Sequence, residues 1–141
     1  MVIRKFSDKD SRTDSPASRL PQTKMNPYGA PEITATEAAD LIAEGALLLM
    51  DVREDDEMDG ARLMAPTTVH VALSRLSTDQ ESALGPEFRN KETRIAVISD
   101  HGVRSAQVTM WLRRKGWRHT VNVRGGYQAW QREVKGRVDS H

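Results

Sequence analysis

The stretch Ile95-Ala96-Val97-Ile98-Ser99-Asp100-His101-Gly102-Val103-Arg104-Ser105 constrains the fold more than any other part of the chain. A short apolar run without a polar break suits a strand buried on both faces. It enters a polar loop built around one glycine. Ala106, Val108, Thr109, Trp111 and Leu112 then supply the apolar positions of a helix over 105–115, which Gly116 ends. Strand, tight loop and helix in that order form an anion cradle. Gly102 permits backbone geometry closed to other residues, and amides around it can form a nest. The helix start adds free N–H groups and the positive end of its dipole. Arg104 can add a charge-assisted, bidentate contact. The residue at the strand exit, where a nucleophile would sit, is Ser99, and the chain contains no cysteine. Composition alone equally allows an ordinary strand-to-helix turn with Ser105 as its cap.

The rest of the chain repeats the strand-then-helix theme. Thr34-Ala35-Thr36-Glu37 has the form of a capping box. Ala38, Ala39, Leu41 and Ile42 continue it as a helical stripe, and Gly45 suits the position after the last turn. Ala46-Leu47-Leu48-Leu49-Met50 is an apolar run ending at Asp51, a second fully buried strand. Thr67-Thr68-Val69-His70-Val71 is a further strand, followed by a short helix from Leu73 to Leu76 and a helical segment near Glu87-Phe88. Thr120-Val121-Asn122-Val123 is the last strand. Gly125-Gly126 turns the chain into a terminal helix through Tyr127-Gln128-Ala129-Trp130. Strands alternating with helices imply a parallel sheet. The expected architecture is a three-layer α/β domain, with a central parallel sheet of about five strands and helices on both faces.

This domain is expected over residues 31–135, between a polar N-terminal tail over 1–30 and a short C-terminal tail over 136–141. The N-terminal segment is too poor in large apolar residues to offset its ordering entropy. Met25 just precedes the domain and is a candidate translation start. No apolar run approaches the roughly 20 residues that cross a bilayer, and no secretory h-region follows the N-terminus. The expectation is a cytoplasmic protein without a membrane partner. Zero cysteines exclude disulfides and thiolate metal sites.

Net charge is +1, from 21 basic and 20 acidic residues, yet the signs are segregated. Acids cluster between Asp40 and Asp59, where Arg53 is the single base. From Val103 to Arg132 there are bases and no acid. Two solvated faces of opposite sign account for this, as does a basic rim that steers an anion or an acidic partner. Trp111 and Trp130 sit at helical spacings that suit a core rather than a stacking platform, so no nucleic-acid partner is expected. The acids of Glu54-Asp55-Asp56-Glu57 are too close in sequence to converge on one ion. His70, His119 and His141 lack ligand spacing. Gly125-Gly126 lacks the Lys and Ser/Thr of a phosphate loop. No metal and no cofactor are expected.

Three motifs, in order and spacing, resemble the rhodanese-like domain family. Asp51-Val52-Arg53-Glu54, with Glu57 and Gly60 following, is similar to its opening motif. Gly102-Val103-Arg104-Ser105 is similar to the end of its active-site loop. Asn122-Val123 before Gly125-Gly126-Tyr127-Gln128-Ala129-Trp130 resembles its closing signature. The resemblance spans about Glu32 to Glu133 and implies an α/β domain that transfers sulfur through a cysteine persulfide. The family's Cys opens a six-residue loop ending at the Arg. Here that loop is Ser99-Asp100-His101-Gly102-Val103-Arg104, so Ser99 takes the nucleophile's position. Gly60-Ala61-Arg62-Leu63-Met64-Ala65 departs from the family's Gly-His-Ile-Pro-Gly-Ala at the pocket rim.

Serine does not replace the thiol chemically. A thiol near pKa 8.5 ionises readily in a positive nest. An alcohol does not, and oxygen carries no persulfide. Ser99-Asp100-His101 has the composition of a triad, but adjacent residues point in different directions. Two readings follow. One is a binding module, catalytically silent at Ser99, with Arg104 and the loop Asp100, His101, Gly102, Val103, Arg104 and Ser105 holding an anion. Its ligand would be thiosulfate, sulfate or a phosphate-like group, or an acidic protein partner also touching Arg113, Arg114 and Arg118. The other is a sulfurtransferase in which Ser stands in place of a native Cys.

Overall fold

The computed structural model describes residues 24–25, 29–58, 63, 65 and 67–135. Most of the expected N-terminal tail, the 136–141 tail and most of the Gly60–Ala65 segment lie outside the described residues. Six strands form one sheet: β1 (Lys24–Met25), β2 (Pro31–Ile33), β3 (Leu48–Asp51), β4 (Thr68–His70), β5 (Ile95–Ile98) and β6 (Thr120–Val123), in the order β1-β2-β6-β5-β3-β4. Five of them, β2 to β6, pair in parallel. The sixth, β1, is a two-residue antiparallel addition to β2. Strand pairing therefore reaches back before Pro31. It needs only backbone N–H and C=O groups, so the polar composition around Lys24 does not prevent it.

Period-2 alternation splits the apolar strands between two cores. Ala96 and Ile98 of β5 face one side with Leu49, Val121 and Val123. Ile95 and Val97 face the other with Met50 and Val52. Helices α1 (Ala35–Ala43) and α4 (Gly126–Trp130) cover the first face through Ala38, Ile42, Tyr127 and Trp130. Helices α2 (Leu73–Asp79) and α3 (Val103–Arg114) cover the second through Leu76, Val108 and Leu112. This is the expected three-layer arrangement. Trp130 and Trp117 are buried, while Trp111 is only half-buried. No described helix is long and apolar enough to cross a membrane.

The capping box at α1 is formed as the sequence implies. Glu37 N–H donates to Thr34 Oγ1 at 3.0 Å, and Thr34 N–H donates to Glu37 Oε1 at 2.8 Å. Gly45 follows the helix with φ +72. Helix α3 starts at Val103, two residues before the expected Ser105, because Gly102 serves as N-cap with φ 95. Register sets Asp51 beside Ile98, and Val52 N–H donates to Ile98 C=O at 2.9 Å. The exits of β3 and β5 are thus neighbours at the carboxyl edge of the sheet, where parallel α/β proteins place their ligands.

Replacing Thr34 with Ala removes one side-chain cap from α1. We expect a loss of about 1 kcal/mol in urea unfolding. An unchanged unfolding midpoint would show that the cap contributes nothing in this fold.

Candidate functional site

Ser99 leaves β5 and turns inward, 1% exposed. Its Oγ accepts hydrogen bonds from the backbone N–H of Gly102 and of Ser105, each at 3.1 Å. Its own proton goes to Ser105 Oγ at 2.9 Å. A hydroxyl has one donor and two acceptor positions, so Ser99 is saturated. The Ser105 hydroxyl donates in turn to Asn122 Oδ1. Asn122 Nδ2 donates to Gly102 C=O at 3.1 Å and to Glu32 Oε2 at 2.8 Å. Glu32 lies on β2 and also faces Arg124, with Nε at 3.4 Å from Oε1. A continuous polar chain therefore runs from the loop floor through β6 to β2.

The loop is clamped from above by the Gly125-Gly126 turn. Tyr127 N–H donates to Ser99 C=O at 2.8 Å, and Gln128 N–H to Asp100 C=O at 3.1 Å. The approach is so close that a Cβ on Gly126 would lie 2.3 Å from the Ser99 carbonyl oxygen. Gly102, with φ +95, faces the same turn, and a Cβ there would lie 3.1 Å from Gly125 N.

The expected loop residues are thus contiguous but not equivalent. Ser99, Gly102 and Ser105 are buried, while His101 and Val103 are exposed. The His101 imidazole turns to Asp100, with Nδ1 at 3.2 Å from Oδ2 and its side chain 72% exposed. It does not contact the Ser99 hydroxyl. Asp100 Oδ1 accepts from Gln128 Nε2 at 3.1 Å. Arg104 reaches across to Glu57, which pairs with its guanidinium through Oε2. Glu57 also accepts from Glu54 N–H at 2.8 Å. Arg113, Arg114 and Arg118 are not brought to the loop. Helix α3 starts at the loop and carries Arg113 and Arg114 at its far end. Arg113 is spent on the carbonyls of Arg118 and Thr120, and Arg118 pairs with Glu92.

The acidic run is partly structural as well. Glu54 accepts from Ser74 N–H at 2.9 Å and Ser74 Oγ at 2.7 Å, capping α2 from outside the helix. Arg53 is fully buried and paired with Asp51, with Nη2 at 2.9 Å from Oδ2. Its guanidinium lies 4.1 Å from the centre of the Tyr127 ring, a cation–π contact joining the segment after β3 to α4. Glu32 and the Asn122 side chain have no role among the sequence-based expectations. An asparagine inside the apolar strand Thr120-Val121-Asn122-Val123 was the available signal, because a buried polar group needs a partner.

The rhodanese-like domain family model matches residues 34–133. A protein of Bacillus subtilis (strain 168) named "Putative sulfurtransferase YtwF" is 34% identical over 102 residues, covering 72% of this chain and 90% of its own length. The crystal structure of a rhodanese-like domain protein from Staphylococcus aureus is similar at TM-score 0.57 and 28% identity, covering 70% of this chain and 89% of that one. A rhodanese-related protein from Thermoplasma volcanium is similar at TM-score 0.60 and 28% identity, covering 73% and 92%.

The Glu57–Arg104 pair predicts an acid-sensitive rim. The hydrogen bond from Arg104 holds the Glu57 carboxyl below its ordinary value of 4.5, against the opposing effect of burial. The same bond holds Arg104 above its ordinary value, so it stays charged throughout. A lowered folded value means that the stabilisation is complete above about pH 4.5 and is lost as pH falls through the folded value. Both side chains are about a third exposed, so the pair is worth about 0.2–1 kcal/mol. Glu57→Gln should therefore be less stable than the native chain at neutral pH, with the gap closing below pH 4.5 in urea titrations. A gap independent of pH would contradict this.

Proposed function

The chain belongs to the rhodanese-like domain family, and from that premise we propose that it is a member without sulfur chemistry. In this reading Ser99 occupies the position of the family's nucleophilic cysteine. The loop Ser99–Ser105 binds a small oxyanion, of the thiosulfate, sulfate or phosphate kind, or the same kind of group on an acidic protein partner.

The observation that carries the reading is the saturated, buried hydroxyl of Ser99. Sulfur transfer needs an accessible atom able to hold a second sulfur. The chain has no cysteine, and the Ser99 oxygen is enclosed by two N–H donors and one hydroxyl. A serine nucleophile would need a base to take its proton. That proton points to Ser105 and on to the Asn122 carbonyl, which is not a base.

Binding draws on what the loop keeps. Helix α3 presents its N-terminal dipole at the loop, and the glycine-based turn before it is intact. Arg104 sits at the mouth, 35% exposed on its side chain. Glu57 already neutralises it in part, so an incoming anion competes with a carboxylate for the guanidinium. This favours a ligand that gathers several N–H donors at once over one that relies on a single charge.

Thiosulfate-to-cyanide assays test the chemistry, and thermal shift tests the binding. We expect no transfer by the native chain and detectable transfer by Ser99→Cys. We also expect sulfate to raise the melting temperature more in the native chain than in Arg104→Ala. At 100 times the dissociation constant, ligand linkage gives about 2.7 kcal/mol. The difference between the two proteins is the readout, because sulfate also stabilises proteins by exclusion from their surface. Transfer by the native chain, or equal shifts in both proteins, would overturn the respective half of the proposal.

A further inference from the structure

We propose that Glu32 is a positioning residue for the loop: through Asn122 it fixes the direction of the Ser99–Ser105–Asn122 hydrogen-bond chain, so that residue 99 must donate to Ser105 rather than accept from it. This goes beyond the reading above. It stands on the hydrogen bonds alone and does not depend on what the loop binds.

An asparagine amide can offer either its oxygen or its nitrogen to a neighbouring hydroxyl. Here two partners decide. The Glu32 carboxylate accepts at 2.8 Å and the Gly102 carbonyl at 3.1 Å, and neither has a proton to give. Both require the NH2 group, which leaves Oδ1 for Ser105. The Ser105 proton must therefore go to Asn122, and a Ser105 lone pair is what faces Ser99. Ser99 Oγ already accepts two N–H bonds, so its own proton has one destination, Ser105. Every hydroxyl proton in the chain points away from residue 99.

A negative charge at residue 99 would meet that lone pair. It would still gain from the two backbone N–H groups. To recruit the Ser105 proton it would have to take it from Asn122, whose orientation Glu32 secures from another strand, 90 residues away in sequence. The arrangement fits a hydroxyl, which has a proton to place, and works against a thiolate, which does not. Glu32 is almost fully buried, as are Ser105 and Asn122, so these bonds act in a medium where a charged partner counts for more than in water.

The test introduces a thiol as a reporter in the full chain. The acid constant of Ser99→Cys is read from thiolate ultraviolet absorbance and alkylation rate against pH. The added substitution Glu32→Gln removes the charged acceptor and can offer its own NH2 to Asn122, which is then held only by the longer bond to Gly102 and can turn, so that Ser105 can donate to the thiolate. We expect the acid dissociation constant of the introduced thiol to rise about tenfold, the scale of one hydrogen bond to a charged group. Loss of a distant negative charge acts in the same direction, so the pair is repeated with Ser105→Ala. In that background the effect of Glu32→Gln should all but vanish. Asp100, His101, Arg104, Glu57 and Arg124 are common to all these proteins and cancel. Should Glu32→Gln fail to fold, Glu32→Ala serves with the same sign, since it too removes the charged acceptor that holds the Asn122 NH2 group. No change, or an equal change with and without Ser105, overturns the proposal for either variant.

Discussion

Two backbone N–H groups converge on one buried oxygen, the Ser99 hydroxyl, and the shape of the loop depends on them. Gly102 and Ser105 lie three and six residues beyond Ser99, so closing their amides onto Oγ wraps the chain into a tight turn. An unpaired buried donor costs about 1–3 kcal/mol. Position 99 must therefore carry an acceptor whatever else it does. The consequences spread outward. The turn aims the carbonyls of Ser99 and Asp100 at the start of α4, and Gly126 must lack a side chain to receive them. It also sets Ser105 against Asn122, which carries the polar chain into the sheet.

This separates two requirements that a cysteine would meet with one atom. The loop needs an acceptor at its floor, and serine provides it. Sulfur transfer needs a polarisable, accessible thiolate, and serine provides neither. In the reading proposed above, the family's fold persists without its chemistry. Charge follows the same pattern: Arg104, within the loop, is matched by Glu57, and Arg124 by Glu32.

Much of this was legible in the sequence wherever the controlling contact is local. The capping box at Thr34, the buried run Ile95–Ile98 and the Gly125-Gly126 turn all rest on residues a few positions apart. Legibility fails where a partner is distant. The Glu57 carboxylate that meets Arg104 lies 47 residues earlier, and nothing near Arg104 in sequence reveals it. Nothing beside Glu32 in sequence points to Asn122. Only the sheet order, which sets β2 beside β6, brings it to Asn122. Arg113 and Arg118 read as a basic rim because composition does not show that they are spent on carbonyls and on Glu92. The apolar positions from Ala106 onward place the helix at 105–115 but do not mark its first turn. In the structure Gly102 is the N-cap and frees the Ser105 side chain for the polar chain.

Residue 99, as proposed, is a floor for the loop rather than a carrier of sulfur. Intact-mass spectrometry of the native chain after incubation with thiosulfate or a low-molecular-weight persulfide tests this most directly. An unchanged mass is the expected result. A covalent gain equal to one sulfur atom, removable by cyanide or a thiol reductant, would contradict it.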